Sequence, residues 1–179
     1  MRAFIALELP DWYAAEVNEC ANRLAREMPG RYIPSCNYHM TLAFLGNVSQ
    51  AVALGAAEVL EHAARCSVAA RLEPVELGWF GRRSDATLWL GFKPTDELMV
   101  LANEVRGMLQ ARGLMIDERR FVPHVTLARR ADLTHGEIEG VPLPGSCVVQ
   151  SLTLFRSTLT PEGASYEPLS SVKLPGLPR

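Results

Sequence analysis

Apolar and polar residues alternate along this chain with two different periods, and the period predicts which segments are strands and which are helices. The predicted elements, in chain order, are a strand at 3–9, a helix at 12–28, a strand at 40–45, a helix at 50–65, strands at 68–77 and 87–92, a helix at 96–112, and strands at 124–129, 148–157 and 166–174. Strands and helices mix throughout, and no long linker interrupts them. We therefore expect residues 1–179 to form a single α+β domain.

Turn and capping residues support these boundaries. Pro29-Gly30 is a helix stop, and Ser49 and Thr95 are placed to cap the second and third helices. Gly113 is placed to end the third helix. The segment 160–163, Thr-Pro-Glu-Gly, is turn chemistry between the last two strands, and residues 81–85 predict a loop between two earlier strands.

Composition narrows the class of protein. The 179 residues are 48% apolar and 21% charged, as in ordinary globular proteins, and no run of about eighteen apolar residues predicts a membrane span. The apolar start is too short for a signal peptide and is interrupted by Glu8, so we expect a cytoplasmic protein. A net charge of −2 argues against non-specific coating of nucleic acid, yet permits a small basic pocket. The four cysteines lack the spacing of a zinc or redox site.

One short pattern occurs twice. Residues 39–43 read His-Met-Thr-Leu-Ala and residues 124–128 read His-Val-Thr-Leu-Ala, in a chain that has only four histidines. Such agreement is better explained by a duplicated structural unit than by chance. The other two histidines, His62 in a predicted helix and His135 in a glycine-bearing connection, lack a threonine two positions on, and we interpret them as surface or structural residues.

Strand geometry gives the repeated pattern a chemical meaning. Side chains alternate between the faces of a strand, so His39, Thr41 and Ala43 are expected on one face and Met40, Leu42 and Phe44 on the core face. The second copy places His124, Thr126 and Ala128 together in the same way. We expect both polar faces to meet at a cleft, in which the small alanines leave space.

Two imidazoles and two hydroxyls facing one cleft suit phosphodiester chemistry. One histidine can accept a proton while the other donates one, because imidazole titrates near neutrality. Thr41 and Thr126 would donate hydrogen bonds to phosphoryl oxygens, where negative charge develops. This scheme requires no metal and no cofactor.

The chain resembles the bacterial and archaeal RNA 2′,3′-cyclic phosphodiesterases, also called 2′-5′ RNA ligases, of the two-histidine phosphoesterase superfamily. Four segments carry the resemblance, at residues 2–10, 38–48, 121–129 and 154–166, and together they span nearly the whole chain. The resemblance implies two pseudo-symmetric lobes, each an antiparallel sheet with outer helices, and an active-site cleft between them. It implies hydrolysis of RNA 2′,3′-cyclic phosphates to 2′-phosphomonoesters, with 2′-5′ ligation as an associated activity.

The resemblance also implies roles for individual residues. His39 would donate the proton to the leaving 3′ oxygen, and His124 would activate water. Arg129 follows the second motif as in the family and is the candidate for a further phosphate contact, against the alternative of a solvated strand-end arginine. Many members carry an arginine where this chain has Ala86, and Arg82 or Arg83 is the candidate replacement for that charge.

The expected partners are RNA ends that bear a 2′,3′-cyclic phosphate, tRNA fragments among them, bound by a monomer that has no membrane association. Two alternatives stay open at this point. One is a phosphodiesterase of the same superfamily that acts on small cyclic phosphates. The other is a module that binds RNA ends without catalysis.

Overall fold

Strands and helices follow one another in the order that the sequence predicts, in a computed structural model that describes residues 1–117, 119–160 and 163–177. The helices are α1 (Asp11–Ala25), α2 (Gln50–Cys66) and α3 (Asp96–Ala111), with a short 3₁₀ helix at Ser35–Asn37. The strands are β1 (Arg2–Glu8), β2 (Arg31–Tyr32), β3 (His39–Asn47), β4 (Ala70–Leu72), β5 (Pro74–Arg82), β6 (Asp85–Phe92), β7 (His124–Ala131), β8 (Cys147–Val149), β9 (Ser151–Thr160) and β10 (Gly163–Lys173).

Two four-stranded antiparallel sheets form two lobes. The first lobe has the strand order β10-β9-β1-β3 and the second has the order β2-β7-β6-β5, while β4 and β8 form a separate two-stranded sheet. Helix α1 contacts β7, whereas α2 and α3 contact strands of the first lobe. Strands β3 and β7, which carry the repeated motif, lie next to each other where the lobes meet. The predicted α+β fold with two lobes is confirmed.

The helices lie close to their predicted positions, but only one of the two predicted N-caps forms its capping hydrogen bond. Ser49 caps α2 as predicted, because its hydroxyl accepts a hydrogen bond from the Val52 amide at 3.3 Å. Thr95 stands before α3, but its hydroxyl donates instead to the Arg71 carbonyl at 3.2 Å. Helix α1 ends at Ala25, three residues earlier than expected. None of the helices in the described part of the chain is long and apolar enough to cross a membrane.

Two predicted strands are each divided between different sheets. The predicted strand 68–77 is wrong as one element: it is β4 and β5, and Pro74 begins the second of them, since proline fits the first position of a strand. The predicted strand 148–157 is likewise β8 and β9, separated at Gln150, whose carbonyl accepts from the Leu174 amide. The predicted loop 81–85 shortens to a hairpin turn, with Gly81 at a φ of 87°. The predicted turn 160–163 includes Pro161 and Glu162, which lie outside the described residues.

Two register irregularities interrupt each motif strand, and one of them is a β-bulge that directly follows the motif threonine. In β3, Leu42 is an extra residue between the partners of Ile5 and Ala6. In β7, Leu127 is an extra residue between the partners of Leu88 and Trp89. An extra residue shifts the alternation of side chains by one position.

These bulges correct the expected placement of the alanines. Ala43 and Ala128 were expected in the cleft, but they are only 1% and 0% exposed and pack in the core. The bulge turns them inward together with the preceding leucines. Phe44 was expected on the core face, but the same shift turns Phe44 and Arg129 back to the faces that carry the motif histidines and threonines.

Candidate active site

Both copies of the motif line one small cavity between the lobes. Its volume is about 120 Å³. The cavity is lined by the five residues that the sequence singled out and by three others: His39, Thr41, His124, Thr126 and Arg129, then Ile33, Asn37 and Tyr166. The structure therefore brings all five candidate residues together. They come from two strands whose motif histidines are 85 residues apart in the sequence.

The two imidazoles are oriented by the same local hydrogen bond. His39 Nδ1 lies 2.7 Å from the carbonyl oxygen of Asn37, and His124 Nδ1 lies 2.7 Å from that of Val122. A carbonyl oxygen only accepts hydrogen bonds, so Nδ1 carries the hydrogen in both rings. In each ring, Nε2 is therefore the atom that accepts a proton when the ring is neutral. When the ring is protonated, the same atom can donate the proton.

Aromatic side chains hold both rings in place. The His39 ring centroid is 4.8 Å from that of Phe4 and 5.0 Å from that of Tyr166, which meets it edge-on. The His124 ring is 5.3 Å from Phe80 and 6.1 Å from Trp89. Rigid aromatic neighbours fix the imidazoles more firmly than aliphatic ones, because such rings pack at preferred angles and distances.

Trp89 in turn depends on two glycines. Its ring lies across Gly78, its register partner on β5, and beside Gly91, the register partner of His124. A Cβ atom at Gly78 would lie 2.3 Å from the Trp89 ring, and one at Gly91 would lie 2.7 Å from it. Both glycines are therefore needed to leave space for the ring that supports His124.

Burial and positive charge disfavour protonation of both histidines. Burial lowers the pKa of His39 to about 4, the Asn37 carbonyl opposes this, and Arg129 and His124 lower it further. Burial also lowers the pKa of His124, again opposed by a carbonyl, that of Val122, and reinforced by Arg129. An anion bound between the rings would favour their charged forms.

Arg129 supplies the positive charge of the cavity. It faces the cavity because of the Leu127 bulge, and it lowers the pKa of both histidines, which places its charge near each ring. The corresponding position in the first copy of the motif is Phe44, so the pseudo-symmetry ends here. Arg31 is the register partner of Arg129 on β2.

The expected replacement for the charge missing at Ala86 is wrong. Arg83 donates to the Leu133 carbonyl at 2.7 Å, and its guanidinium lies over the Trp79 ring at 5.1 Å. Neither Arg83 nor Arg82 lines the cavity. Ala86 is itself buried and pairs with Ala131, at the opposite end of β7 from His124.

The remaining candidates lie where the sequence suggested. His62 is exposed on α2, with its Nε2 atom 3.2 Å from Cys66 Sγ, and His135 is exposed in the connection after β7. Within residues 1–117, 119–160 and 163–177, no group of three or more histidine, cysteine, aspartate or glutamate side chains is arranged to hold a metal ion.

Sequence reasoning missed the residues that support the catalytic candidates. Asn37 acts through its main-chain carbonyl, for which a sequence has no signal, and its side chain donates to the Ala164 carbonyl at 3.2 Å. Tyr166 ends the C-terminal segment of the family resemblance, but nothing in the sequence placed its ring beside His39. Phe80 and Trp89 read simply as good strand residues.

Known proteins resemble this chain over almost its whole length. Residues 13–160 match the model of the 2′-5′ RNA ligase superfamily. The RNA 2′,3′-cyclic phosphodiesterase of Thermotoga maritima is 31% identical over 98% of this chain and 97% of its own, and that of Escherichia coli is 32% identical over 94% and 93%. The crystal structure of E. coli LigT complexed with 3′-AMP superposes with a TM-score of 0.78 at 29% identity, covering 97% of each chain.

Proposed function

The chain belongs to the 2′-5′ RNA ligase superfamily, and on that premise we propose that it hydrolyses RNA 2′,3′-cyclic phosphate ends to 2′-phosphomonoesters. The observation that carries the proposal is the meeting of two imidazoles, two threonine hydroxyls and one arginine in a single cavity of about 120 Å³. A cavity of this size suits a phosphate group, and the rest of a nucleotide would extend out of it. Residues 1–179 are proposed to act as one domain.

The proposed reaction is an acid–base displacement at phosphorus. His124 Nε2 takes a proton from water, the water oxygen bonds to phosphorus, and the bond from phosphorus to the 3′ oxygen breaks. His39, in its protonated form, gives its Nε2 hydrogen to the leaving 3′ oxygen, and the phosphate stays on the 2′ oxygen. Exchange of protons with solvent then restores both rings.

The substrate's own charge prepares His39 for its role. Burial lowers the pKa of His39 to about 4, so the ring is neutral near pH 7 before a substrate binds. A bound cyclic phosphate brings a negative charge between the ring and Arg129, which raises the pKa of His39. The Asn37 carbonyl stabilises the resulting imidazolium by accepting its Nδ1 hydrogen bond.

Thr41, Thr126 and Arg129 are proposed to bind the non-bridging oxygens. Two hydroxyl donors and a guanidinium match the charge that builds on these oxygens as the fifth bond to phosphorus forms. Joining of two RNAs would use the same groups: a 5′ hydroxyl takes the place of water and leaves a 2′-5′ linkage. We further propose that the protein is a cytoplasmic monomer whose substrates include tRNA fragments.

The test compares matched histidine variants on an RNA oligomer that ends in a 2′,3′-cyclic phosphate. His39→Asn and His124→Asn each retain a donor for the carbonyl two residues before but lack Nε2, and each is expected to lower kcat about a hundredfold or more. His62→Asn, at an exposed histidine, is the control and is expected to retain full activity. A 2′-phosphate product, identified by phosphorus NMR, is expected.

Three outcomes would contradict the proposal. Unchanged turnover in either motif variant would remove acid–base catalysis by these histidines, and binding of the RNA without any turnover would favour the non-catalytic module. The wild-type enzyme is expected to keep its activity in EDTA. Loss of activity in EDTA with recovery in a divalent ion would indicate a metal-dependent reaction instead.

The small size of the cavity fits a second candidate equally well, a phosphodiesterase for small cyclic phosphates. The cavity surrounds only a phosphate, so nothing within its walls distinguishes a cyclic mononucleotide from an RNA end. Parallel assays of a cyclic mononucleotide and a cyclic-phosphate trinucleotide separate the two. A higher kcat/KM for the trinucleotide supports RNA, and activity confined to the mononucleotide would replace it.

A further inference from the structure

The main-chain carbonyls of the two bulge residues are bound by donors of different kinds. In the second lobe, the carbonyl of Leu127 accepts a hydrogen bond from the amide of Ile33 at 2.8 Å, and Ile33 directly follows β2. In the first lobe, the carbonyl of Leu42 accepts a hydrogen bond from Nη1 of Arg106 at 3.3 Å. A main-chain amide in one lobe thus corresponds to a side-chain guanidinium in the other.

The position of each motif strand in its sheet explains this difference. Strand β7 lies between β2 and β6, so the chain that follows β2 can reach the Leu127 carbonyl. Strand β3 is, among the described residues, the last strand of its sheet, with β1 as its neighbour. The extra residue of a bulge is left out of the strand pairing, so its polar groups need another partner. Arg106 supplies that partner from α3, which packs against β3.

The same guanidinium also holds the chain that leads to the second motif. Nη2 of Arg106 donates to the carbonyl of Asp117 at 2.6 Å and to that of Arg119 at 3.0 Å. Arg119 lies three residues before Val122, whose carbonyl orients His124. One half-buried side chain therefore joins the strand of His39 to the segment that leads to His124.

Asp117 and Arg119 also bind each other, which fixes the carbonyls that Arg106 contacts. Oδ1 of Asp117 accepts hydrogen bonds from the main-chain amide and from Nε of Arg119, both at 3.0 Å. Arg106 therefore meets a segment that is already held in shape by its own side chains. A planar guanidinium suits this place, because its rigid fork of donors can serve two segments of the chain at once.

Arg106 acts on the main chain and does not line the cavity of the histidines. Its contact on β3 is the carbonyl of Leu42, the residue directly after Thr41. A shift of this carbonyl would move Thr41 and, through the strand, His39. A displacement of about 1 Å in a reacting group can lower the rate about a hundredfold, so a donor at this point can matter for catalysis.

We propose that Arg106 is a positioning residue, which holds the first motif and the approach to the second at a fixed separation so that His39, Thr41 and His124 meet one phosphate group. The proposal rests on the proposed function, because it assigns a reacting phosphate to the cavity. It adds that the alignment of the two lobes depends on a side chain outside that cavity.

The test uses two variants of Arg106 and one matched control. Arg106→Met removes the donors and keeps much of the aliphatic stem, whereas Arg106→Lys keeps the charge without the planar fork. The control is Arg112→Met, because Arg112 directly follows α3 and also donates to a main-chain carbonyl, that of Gly55 at 2.7 Å, while pairing with Glu58. Arg112 joins α3 to α2 and contacts neither motif strand through these bonds.

For each protein, kcat and KM are measured on the cyclic-phosphate oligomer, and Tm is measured by thermal unfolding. A readout without substrate is the NMR resonance of the Cε1 hydrogen of His39. This resonance is sensitive to the position of the ring, because Phe4 and Tyr166 lie against it at 4.8 and 5.0 Å.

Arg106→Met is expected to lower kcat at least about tenfold, with a smaller change in KM, because the charge on the phosphoryl oxygens is greatest in the transition state. Arg106→Lys is expected to lower kcat less, and both variants are expected to move the His39 resonance. Arg112→Met is expected to lose a similar amount of Tm and to keep the kcat and the His39 resonance of the wild type.

Equal kcat in the wild type and the Arg106 variants, or an unmoved His39 resonance in those variants, would overturn the positioning role. An equal loss of kcat in Arg112→Met and Arg106→Met would overturn it as well, since general destabilisation would then be the cause. If Arg106→Met does not fold, the same criteria are applied to Arg106→Lys. A wild type that turns over no cyclic phosphate, with a His39 resonance that moves only in the Arg106 variants, would support the positioning and refute the proposed function alone.

Discussion

Leu42 and Leu127 occupy equivalent places in the two lobes: each is the extra residue of a β-bulge and directly follows the threonine of its motif. Each bulge sends the next alanine into the core and returns the residue after it to the cleft face. The result differs between the lobes, because the residue that returns to the cleft face is Phe44 in the first lobe and Arg129 in the second. Arg129 therefore lines the cavity of the histidines, whereas Phe44 lies outside the lining of that cavity.

The Leu127 bulge predicts that adjacent arginines differ sharply in their effect. Arg129→Gln is expected to lower kcat/KM about ten- to a hundredfold, because a hydrogen bond to a charged group contributes about 1.5–3 kcal/mol. Arg130→Gln is the matched control and is expected to have little effect, since Arg130 is exposed and does not line the cavity. Steady-state kinetics on the cyclic-phosphate oligomer checks this, and equal losses in both variants would contradict the assigned facing of the strand.

The lowered histidine pKa values predict the position of the pH optimum. The kcat/KM profile follows the free enzyme, so both of its limbs are expected at lower pH than for unperturbed imidazoles near 6.5. The kcat profile follows the complex, in which the bound anion raises these pKa values, and it is expected at higher pH. Arg129→Gln removes a cation that lowers both pKa values and is expected to move the kcat/KM profile upward. A downward movement would contradict the proposed electrostatics.

The same pKa shift predicts how stability depends on pH. The unfolded chain binds a proton at His39 more readily than the folded protein does, so the free energy of unfolding is expected to fall as the pH falls from about 6.5 through 4. His39→Asn removes this contribution and is expected to flatten that decline. Urea unfolding of both proteins at several pH values provides the measurement, and identical pH dependences would exclude His39 as the source.

Substitution of the motif threonines is expected to lower kcat unless the new side chain retains a hydroxyl. Thr41→Val and Thr126→Val keep the shape of the side chain and remove the donor, so each is expected to lower kcat about a hundredfold. Thr41→Ser and Thr126→Ser retain the donor and are expected to recover most of the rate. If valine and serine variants had the same kcat, phosphoryl binding by these hydroxyls would be disproved.

Substitution of a glycine beside Trp89 is expected to lower kcat, although this glycine takes no part in the proposed reaction. Gly91→Ala places a methyl group 2.7 Å from the Trp89 ring and is expected to lower kcat about ten- to a hundredfold by displacing the rings that hold His124. Gly107→Ala, on α3 with open space around it, is the control. It is expected to leave kcat unchanged and to stabilise the protein by about 0.5–1 kcal/mol, as thermal unfolding would show.

The sequence was most informative where a pattern was written twice. The duplication of His-x-Thr-Leu-Ala predicted both motif strands and the two histidines and two threonines that line the cavity. The alternation of strand faces placed Ala43 and Ala128 on the wrong side, because it assumes a strand without bulges. A bulge depends on the register with a neighbouring strand, which the sequence pattern does not give. The pattern also joined β4 to β5 and β8 to β9, because apolar patterning does not record which sheet a strand enters.

Other features of the site leave no recognisable pattern in the amino-acid sequence. The carbonyls of Asn37 and Val122 orient the histidines through the main chain, and any residue type supplies a carbonyl. Arg83 was a reasonable candidate by charge, but its placement depends on the carbonyls of the 133–136 segment, which is remote in sequence. The arginine that does line the cavity was identified by resemblance and reached it by the bulge.

The first sheet joins segments that lie far apart in the chain: β1 begins at residue 2 and lies between β3 and β9, while β9 begins only at residue 151. During synthesis, the strand that carries His39 therefore gains its neighbour β1 early, whereas the other half of its sheet follows about a hundred residues later. Pairings between such distant segments are also slow to form. A chain that stopped before β9 would lack Phe155 and Tyr166 beside His39. The surroundings of His39 are thereby completed by the strands of this sheet that are made last.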